Sequence, residues 1–171
     1  MKKYEILMEE EYTIEWEGHV LHRIRALKDF GDVRKDDIGG YIEKENNLSH
    51  EGNCWIYKNA KAMDNSCVCD DSKMYGYSEI HDSSEMHDNS KVFDNSKLYD
   101  NSRMYNNSRM YGYSEMHDYS IIYNNSRMYN NSKMYNNSRM YDNSEMCDNS
   151  EMHDYSEMHN NSKLYDDSIL M

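Results

Sequence analysis

Apolar and polar residues recur with a period of six along most of the chain, from Cys54 to Leu170. Each unit begins with a small residue, which is serine at every unit from Ser66 to Ser168, and an apolar residue follows two positions later. All 20 of these later positions are apolar. Because side chains two residues apart point to the same side of an extended strand, each unit predicts a short strand with one inward side.

The two remaining positions of each unit are rich in Asp and Asn and predict a turn. Asparagine at the second of them predicts a left-handed backbone there, as at Asn89, Asn95, Asn101 and Asn107. A strand of four residues cannot bury its apolar side chain alone, so the units have to coil and stack. Three units per coil predict a triangular prism with 18 residues a turn and about six and a half coils over 54–171.

The charges support the same 18-residue period. At the outward position before the apolar residue, steps of 18 alternate in sign along one face, which we call the alternating face: Lys61, Glu79, Lys97, Glu115, Lys133 and Glu151. Strands of a sheet lie about 4.8 Å apart, so opposite charges on neighbouring coils are favourable. Coils of two or four units would not bring these residues together in this order.

An apolar residue followed four positions later by a small one, repeated every six residues, resembles the left-handed parallel β-helix of hexapeptide-repeat proteins. The resemblance covers 54–171 and implies left-handed coiling, an exception to the usual right-handed crossover. It differs in the core, where methionine fills 11 of the 20 apolar positions. We therefore predict an all-β fold, with a parallel left-handed β-helix of three hexads per coil over 54–171 and a small β-rich cap over 1–53.

Residues 1–53 do not follow the repeat. The segments 13–16 and 20–27 flank Glu17 and Gly18 and predict a β-hairpin. Three stretches resemble the head of phage and prophage hexapeptide-repeat proteins of unassigned function: 23–33, 39–42 and 47–55. Since a solenoid needs its first coil covered, we interpret this head as a cap, with Trp16 or Trp55 closing the open end.

Composition narrows the classes of function. Apolar residues make up 37% of the chain, the mean hydropathy is -1.12 and the formal net charge is -13, values typical of disorder that the strict repeat argues against. No apolar run approaches the roughly 20 residues of a membrane span, and no secretory signal follows Lys2 and Lys3. Four scattered cysteines form no disulfide framework, so we expect the reducing cytoplasm of a bacterial host.

The enzyme hypothesis for this fold is an acetyl- or acyltransferase, in which a histidine and a loop that breaks the coil shape the site. Here the coil is unbroken over 20 units. The outward histidines stand where other units have tyrosine: His81, His87, His117, His153 and His159. We therefore expect no enzyme activity, no catalytic residue and no cofactor, since fold alone does not supply function.

Cys67 and Cys69 point outward on one strand, and Glu85 and His87 lie one coil further on. These ligand types suit zinc. Drift within the repeat near the cap is the alternative explanation, and we favour it over a zinc site. The expectation is therefore no metal site, with Cys67, Cys69 and His87 as the alternative.

Like charges occupy three other rows. A second face, the basic face, carries Lys73, Lys91, Arg109 and Arg127 beside Tyr75, Phe93, Tyr111 and Tyr129. The third face carries Arg103, Ile121 and Arg139 beside Tyr105, Tyr123 and Tyr141. One corner, the acidic corner, carries Asp64, Asp82, Asp100 and Asp118.

Stacked like charges are unfavourable, so one hypothesis is that these rows bind partners. The alternative is that exposed charges cost little in water and tyrosine columns stack on themselves. The predicted partner-binding residues are Lys91, Phe93, Arg109, Tyr111, Arg127 and Tyr129 on the basic face and Arg103, Ile121, Tyr123 and Arg139 on the third.

Two classes of function remain. The first is a non-catalytic acidic interaction protein that binds a protein partner; a phage-encoded inhibitor of a host enzyme, imitating nucleic acid with its acidic row, is one form of it. The second is direct ligand or nucleic-acid binding by the Arg and Tyr columns. The net charge of -13 opposes nucleic acid, so we rank the second class lower.

The last coil leaves apolar residues outside the core. Leu170 is inward in the repeat, but Ile169 and Met171 fall in outward positions. No polar capping segment follows them, and a last coil exposes strand edges. We therefore predict a homodimer through the C-terminal coils, the commonest closed arrangement, with its interface at Leu164, Ile169, Leu170 and Met171.

Overall fold

A computed structural model of the protein describes residues 2–171. The head contains four strands, Tyr4–Ile6 (β1), Thr13–Trp16 (β2), His19–Ala26 (β3) and Ile38–Ile42 (β4), and two 3₁₀ turns, Glu10–Tyr12 and Glu45–Asn47. Twenty two-residue strands follow, one every six residues: Trp55–Ile56 (β5), Lys61–Ala62 (β6), Cys67–Val68 (β7), Lys73–Met74 (β8), Glu79–Ile80 (β9), Glu85–Met86 (β10), Lys91–Val92 (β11), Lys97–Leu98 (β12), Arg103–Met104 (β13), Arg109–Met110 (β14), Glu115–Met116 (β15), Ile121–Ile122 (β16), Arg127–Met128 (β17), Lys133–Met134 (β18), Arg139–Met140 (β19), Glu145–Met146 (β20), Glu151–Met152 (β21), Glu157–Met158 (β22), Lys163–Leu164 (β23) and Ile169–Leu170 (β24).

These strands stack into three parallel sheets, one for each face of a prism. A strand pairs with the strands three before and three after it in the chain, and residues 18 apart lie side by side, as Lys97 does with Glu79 and Glu115. The alternating face runs from β6 to β24, the basic face from β5 to β23 and the third face from β7 to β22. The predicted parallel β-solenoid with three hexads per coil is confirmed.

The core is one column along the axis of the prism. Met104, Met110 and Met116 are fully buried, as are the other inward apolar residues of the repeat from Ile56 to Met152. A buried methionine side chain contributes roughly 1.5–3 kcal/mol through apolar burial. The inward serines are buried beside them, so methionine and serine columns together fill the interior.

Each corner has a left-handed backbone at its first residue, for example Asp88 with φ 60°. The prediction for the second residue is wrong at Asn89, Asn95 and Asn101 and confirmed at Asn107, where φ is 62°. From Asn106 onward both residues of each corner are left-handed. The exception is the Gly112–Tyr113 corner, where only Gly112 is left-handed.

The two kinds of corner differ by a flip of the peptide between the corner residues, which reverses the hydrogen bonds along the axis. The Asn95 N–H donates to the Gly112 carbonyl in the next coil at 2.9 Å. The Asn143 N–H donates to the Asn124 carbonyl in the preceding coil, also at 2.9 Å. The solenoid therefore has two parts with opposite corner ladders.

The head extends the alternating face. β2 and β3 form the predicted hairpin around Glu17 and Gly18, and β4 pairs in parallel with β6, so the parallel stacking begins before Cys54. Gly40 is required at this junction, because a Cβ there would lie 2.5 Å from the Ala60 carbonyl oxygen.

Trp55 closes the end of the core. It is fully buried and packs edge-on against Phe30 and Tyr4, with ring centroids 5.4 and 6.3 Å away. Trp16 lies at the side instead, with the Lys61 Nζ 3.8 Å from the centre of its ring.

The buried serines predict opposite effects of the same substitution. The Ser108 hydroxyl is buried without a hydrogen-bond partner, whereas Ser114 donates to the Tyr111 carbonyl at 2.8 Å. Removing an unsatisfied buried hydroxyl recovers its desolvation cost, so we expect Ser108→Ala to raise the free energy of unfolding by about 1 kcal/mol. Ser114→Ala should lower it by a similar amount. Urea denaturation of both variants checks this, and destabilisation by Ser108→Ala would contradict it.

Candidate functional site

The charges of the alternating face satisfy each other. Glu79 lies between Lys61 at 3.1 Å and Lys97 at 2.7 Å, and Lys133 contacts Glu115 at 3.0 Å. Burial alone would raise the pKa of Glu79, but hydrogen bonds from His81, Lys97 and Lys61 outweigh it and hold the pKa at about 2. The predicted charge ladder is confirmed, and its signs cancel along the row.

A second pattern, present in the sequence but unused in our predictions, couples the two outward residues of a strand. A strand with Glu at its first outward position has His at its second, except at Cys147. From Lys73 onward, a strand with Lys or Arg at the first position has Tyr or Phe at the second. The Glu Oε2 and His Nε2 atoms are 2.9–3.4 Å apart in all five pairs, Glu79–His81, Glu85–His87, Glu115–His117, Glu151–His153 and Glu157–His159. The sequence signal for these Glu–His pairs is that the residue types at two outward positions of a strand change together from unit to unit.

Tyrosine rings and carboxylates surround these histidines, as His117 shows. The His117 ring stacks between Tyr99 and Tyr135, with centroids 4.7 and 5.0 Å away. Its Nε2 lies 3.3 Å from Glu115 and its Nδ1 lies 3.9 Å from Asp100. A general base needs its nitrogen within reach of a substrate, and here the nitrogens face neighbouring carboxylates.

The aromatic column of the basic face is a continuous stack. Its ring centroids are 4.5–5.0 Å apart and its rings lie within 9° of parallel, through Tyr57, Tyr75, Phe93, Tyr111 and Tyr129. Neighbouring rings cover each other's faces. Ring edges and hydroxyl groups therefore remain for contact with another molecule.

The basic column divides into paired and unpaired residues. Lys73 pairs with Asp32 of the head, and Arg127 lies 3.6 Å from Glu145. Lys91 and Arg109 are side by side on β11 and β14. Within residues 2–171, neither has a carboxylate oxygen within 4.0 Å.

The arginines of the third face already have partners. Arg103 lies 3.2 Å from Glu85, and Arg139 lies 3.4 Å from Glu157. Ile121 lies between the two arginines in the register. Glutamates stand at both ends of this row and pair with its arginines, and the prediction that the face binds a partner stays a prediction. Tyr123 stacks between Tyr105 and Tyr141.

Backbone N–H groups also contact the aspartates of the acidic corner. The Asp82 N–H donates to the Asp64 carboxylate at 3.2 Å, and the Asp100 N–H donates to Asp82 at 3.1 Å. The Asp118 N–H donates to Asp100 at 3.4 Å. The carboxylates of Asp64, Asp82 and Asp100 thus each accept a backbone hydrogen bond from the next coil, a favourable charge-assisted contact.

Cys67 and Cys69 form a disulfide bond. The expectation that the cysteines stay unpaired is wrong here, because side chains two residues apart on a strand share one side. Neither thiol is available to a metal in this state. His87, the third residue of that alternative, contacts Glu85 at 3.2 Å and Asp70 at 3.3 Å instead.

One cluster between the head and the first coil lay outside our predictions. His19 lies 3.3 Å from Glu43 and 3.9 Å from Asp64, and the Asp64 N–H donates to Glu43 at 2.6 Å. Burial would raise the pKa of Glu43, but this N–H and His19 lower it. Such ligand types can hold a divalent cation, yet each already has a partner that joins the head to the acidic corner. No repeat signal connects head to coil residues, so the sequence pattern could not reveal the cluster.

The last coil has the predicted exposed apolar residues. Ile169 and Met171 are 59% and 85% exposed, while Leu164 and Leu170 are partly buried. β22, β23 and β24 are the outermost strands of their sheets in the described chain.

The unbroken 18-residue coils decide the class of protein. The chain is a parallel β-solenoid of the hexapeptide-repeat type. No protein-family model matches it. It is similar to YdcK of Escherichia coli (strain K12), described as an uncharacterized acetyltransferase, with 36% identity over 74 residues. The match covers 40% of this chain and 23% of the relative, so it spans less than a quarter of that protein's length. No helix among residues 2–171 is long and apolar enough to cross a membrane.

The pKa of Glu79 predicts a pH dependence of stability. Its folded pKa of about 2 is below the ordinary value of 4.5, so its contribution is complete above pH 4.5 and is lost as the pH falls from 4.5 towards 2. Glu79→Gln should lower the free energy of unfolding at pH 7 by about 3–5 kcal/mol, because it leaves buried Lys61 unpaired. Urea denaturation from pH 7 to 2 checks both expectations. Glu157→Gln, at an exposed pair, is the control and should cost much less; equal losses would refute the ladder's role.

Proposed function

We propose that this solenoid is a non-catalytic interaction protein that binds an acidic surface of a protein partner through its basic face. Ten Lys or Arg residues occupy the outward position before the core residue, and eight of them pair with a carboxylate. The two exceptions, Lys91 and Arg109, are adjacent. This observation carries the proposal, because the repeat satisfies such charges everywhere else among the described coils.

The surroundings of this pair favour a protein over a nucleic acid. The rings of Phe93 and Tyr111 are covered by their neighbours in the stack, so bases have no ring face on which to stack. A guanidinium binds a carboxylate with two hydrogen bonds, which makes an acidic protein surface a suitable partner for Arg109. The net charge of -13 repels a polyanion along its whole length, whereas a protein partner needs only a local acidic patch opposite Lys91 and Arg109.

The resemblance of the head to phage and prophage proteins leads us to propose a bacterial host protein as the partner, with inhibition as the outcome. Nucleic-acid mimicry is not needed for this. The carboxylates of the acidic corner accept backbone hydrogen bonds within the solenoid, so the basic face carries the contact instead.

Acyl transfer is the second candidate, favoured by the description of the relative as an acetyltransferase. We expect no transfer from acetyl-CoA to amine or hydroxyl acceptors. Turnover that disappears in His117→Ala but survives in Tyr99→Phe would overturn the non-catalytic proposal.

Charge reversal tests the basic face. Lys91→Glu with Arg109→Glu should reduce recovery of the partner from bacterial lysate at least tenfold, with the larger effect at low salt. Lys91→Arg with Arg109→Lys should retain it, as should Arg139→Glu on the third face. Quantitative mass spectrometry of the captured proteins is the measurement. A protein set that is identical for all variants would contradict the proposal.

We also propose that the solenoid self-associates through its last coil, where Ile169 and Met171 are exposed beside strand edges. Ile169→Lys with Met171→Lys should convert dimers to monomers in sedimentation velocity at tens of micromolar. Tyr165→Lys in the same coil is the control and should leave the dimer intact. A monomer of the unmodified chain would contradict this.

A further inference from the structure

Four tyrosines at corners of the solenoid lie outside its ring stacks. Tyr77, Tyr113, Tyr119 and Tyr155 occupy second corner positions and are 58–73% exposed. Among the described residues, none of the four has another aromatic ring stacked on it. No aromatic ring covers either face of these side chains, unlike the stacked tyrosines of the columns.

The four tyrosines border the alternating face on both sides. Tyr77 and Tyr113 precede the strands that begin at Glu79 and Glu115. Tyr119 and Tyr155 follow strands β15 and β21 on the opposite edge. The lysine strands of the same face have asparagine at all of these positions: Asn95, Asn101, Asn131 and Asn137. Each edge thus has one pair of tyrosines two coils apart, about 10 Å along the axis, and Ser83 and Asn149 fill the remaining positions beside the glutamate strands.

The backbone shows that two of these tyrosines are held at a cost. Tyr119 and Tyr155 have φ of 62° and 64°. Asn137, which lies between them on the same corner, has φ 64°. A left-handed conformation is ordinary for asparagine but unusual for a bulky side chain. Strain of this kind at an exposed ring indicates a functional demand, since asparagine is the corner residue that the repeat otherwise uses here.

The charged side chains between the rings are paired with each other. Glu79 and Glu115 contact lysines of neighbouring coils, and their strand-mates His81 and His117 contact the same glutamates. A charged ligand would find no unpaired opposite charge in this row. A neutral ligand with many hydroxyl groups, by contrast, would meet polar side chains between two aromatic edges.

We propose that the alternating face binds a neutral β-1,4-linked polysaccharide that runs along the solenoid axis, with sugar rings stacked on the corner tyrosines. The C–H groups of a sugar carry partial positive charge and are attracted to the negative face of an aromatic ring. In an extended β-1,4 chain, alternate sugars present the same face, and their repeat is close to the two-coil spacing of Tyr77 and Tyr113. The surface is distinct from the basic face.

The experiment uses the full chain and insoluble polysaccharides. Microcrystalline cellulose and chitin are the probes, with insoluble α-1,4-linked starch as the control ligand. We expect one of the β-1,4 polymers to deplete the protein from solution and starch not to do so. The variant carrying Tyr77→Asn, Tyr113→Asn, Tyr119→Asn and Tyr155→Asn should bind at least tenfold more weakly, whereas Tyr165→Asn on the basic face should bind as the unmodified chain does.

Unfolding does not confound this test. Asparagine already occupies the equivalent corners, so Tyr119→Asn and Tyr155→Asn should leave the urea midpoint unchanged or raise it. Equal binding by the fourfold variant, or no binding to cellulose and chitin by the unmodified chain, would overturn the proposal. Loss of a captured protein in the fourfold variant, without polysaccharide binding by the unmodified chain, would also overturn it and assign the surface to a protein partner.

Discussion

In-register parallel stacking is the constraint on which the rest of this structure depends. Each side chain has as neighbours the residues 18 positions before and after it, about 4.8 Å away. A residue that suits one coil must therefore suit the coils on both sides. The alternation of Lys97 with Glu79 and Glu115, and the stacking of His117 between two tyrosines, are solutions to that single requirement.

The same constraint explains how the acidic corner tolerates a row of aspartates. A stacked carboxylate such as Asp82 would be repelled by Asp64 if their oxygens were nearest neighbours. The left-handed corner instead aims the N–H of Asp82 at the Asp64 carboxylate, so the charge meets a donor. Repulsion between like charges is offset by a charge-assisted hydrogen bond at each step.

The sequence predicts a contact that depends on side-chain type, but it does not predict one that depends on backbone orientation. The coil period, the core methionines and the Lys97–Glu79 ladder depend on side-chain type at fixed spacing, so they follow from the sequence. The acidic corner depends on which way a peptide points, and Lys73–Asp32 depends on how the head folds back over the coils; neither orientation is encoded in the period. The Cys67–Cys69 bond lies within one strand, where side chains two residues apart share one side, so it does not depend on the 18-residue period.

In a solenoid that satisfies its outward residues by repetition, function is best sought where repetition fails. Lys91 and Arg109 break the rule that each outward cation has a carboxylate, and Tyr119 breaks the rule that a left-handed corner is Asp or Asn. Each departure carries a cost that a further copy of the consensus unit would avoid. The two faces that carry these departures adjoin, because the Gly112–Tyr113 corner joins the strand of Arg109 to the strand of Glu115. Neighbouring faces of one rigid prism can therefore carry two contacts with different chemistry, one electrostatic and one aromatic, without altering the core that supports both.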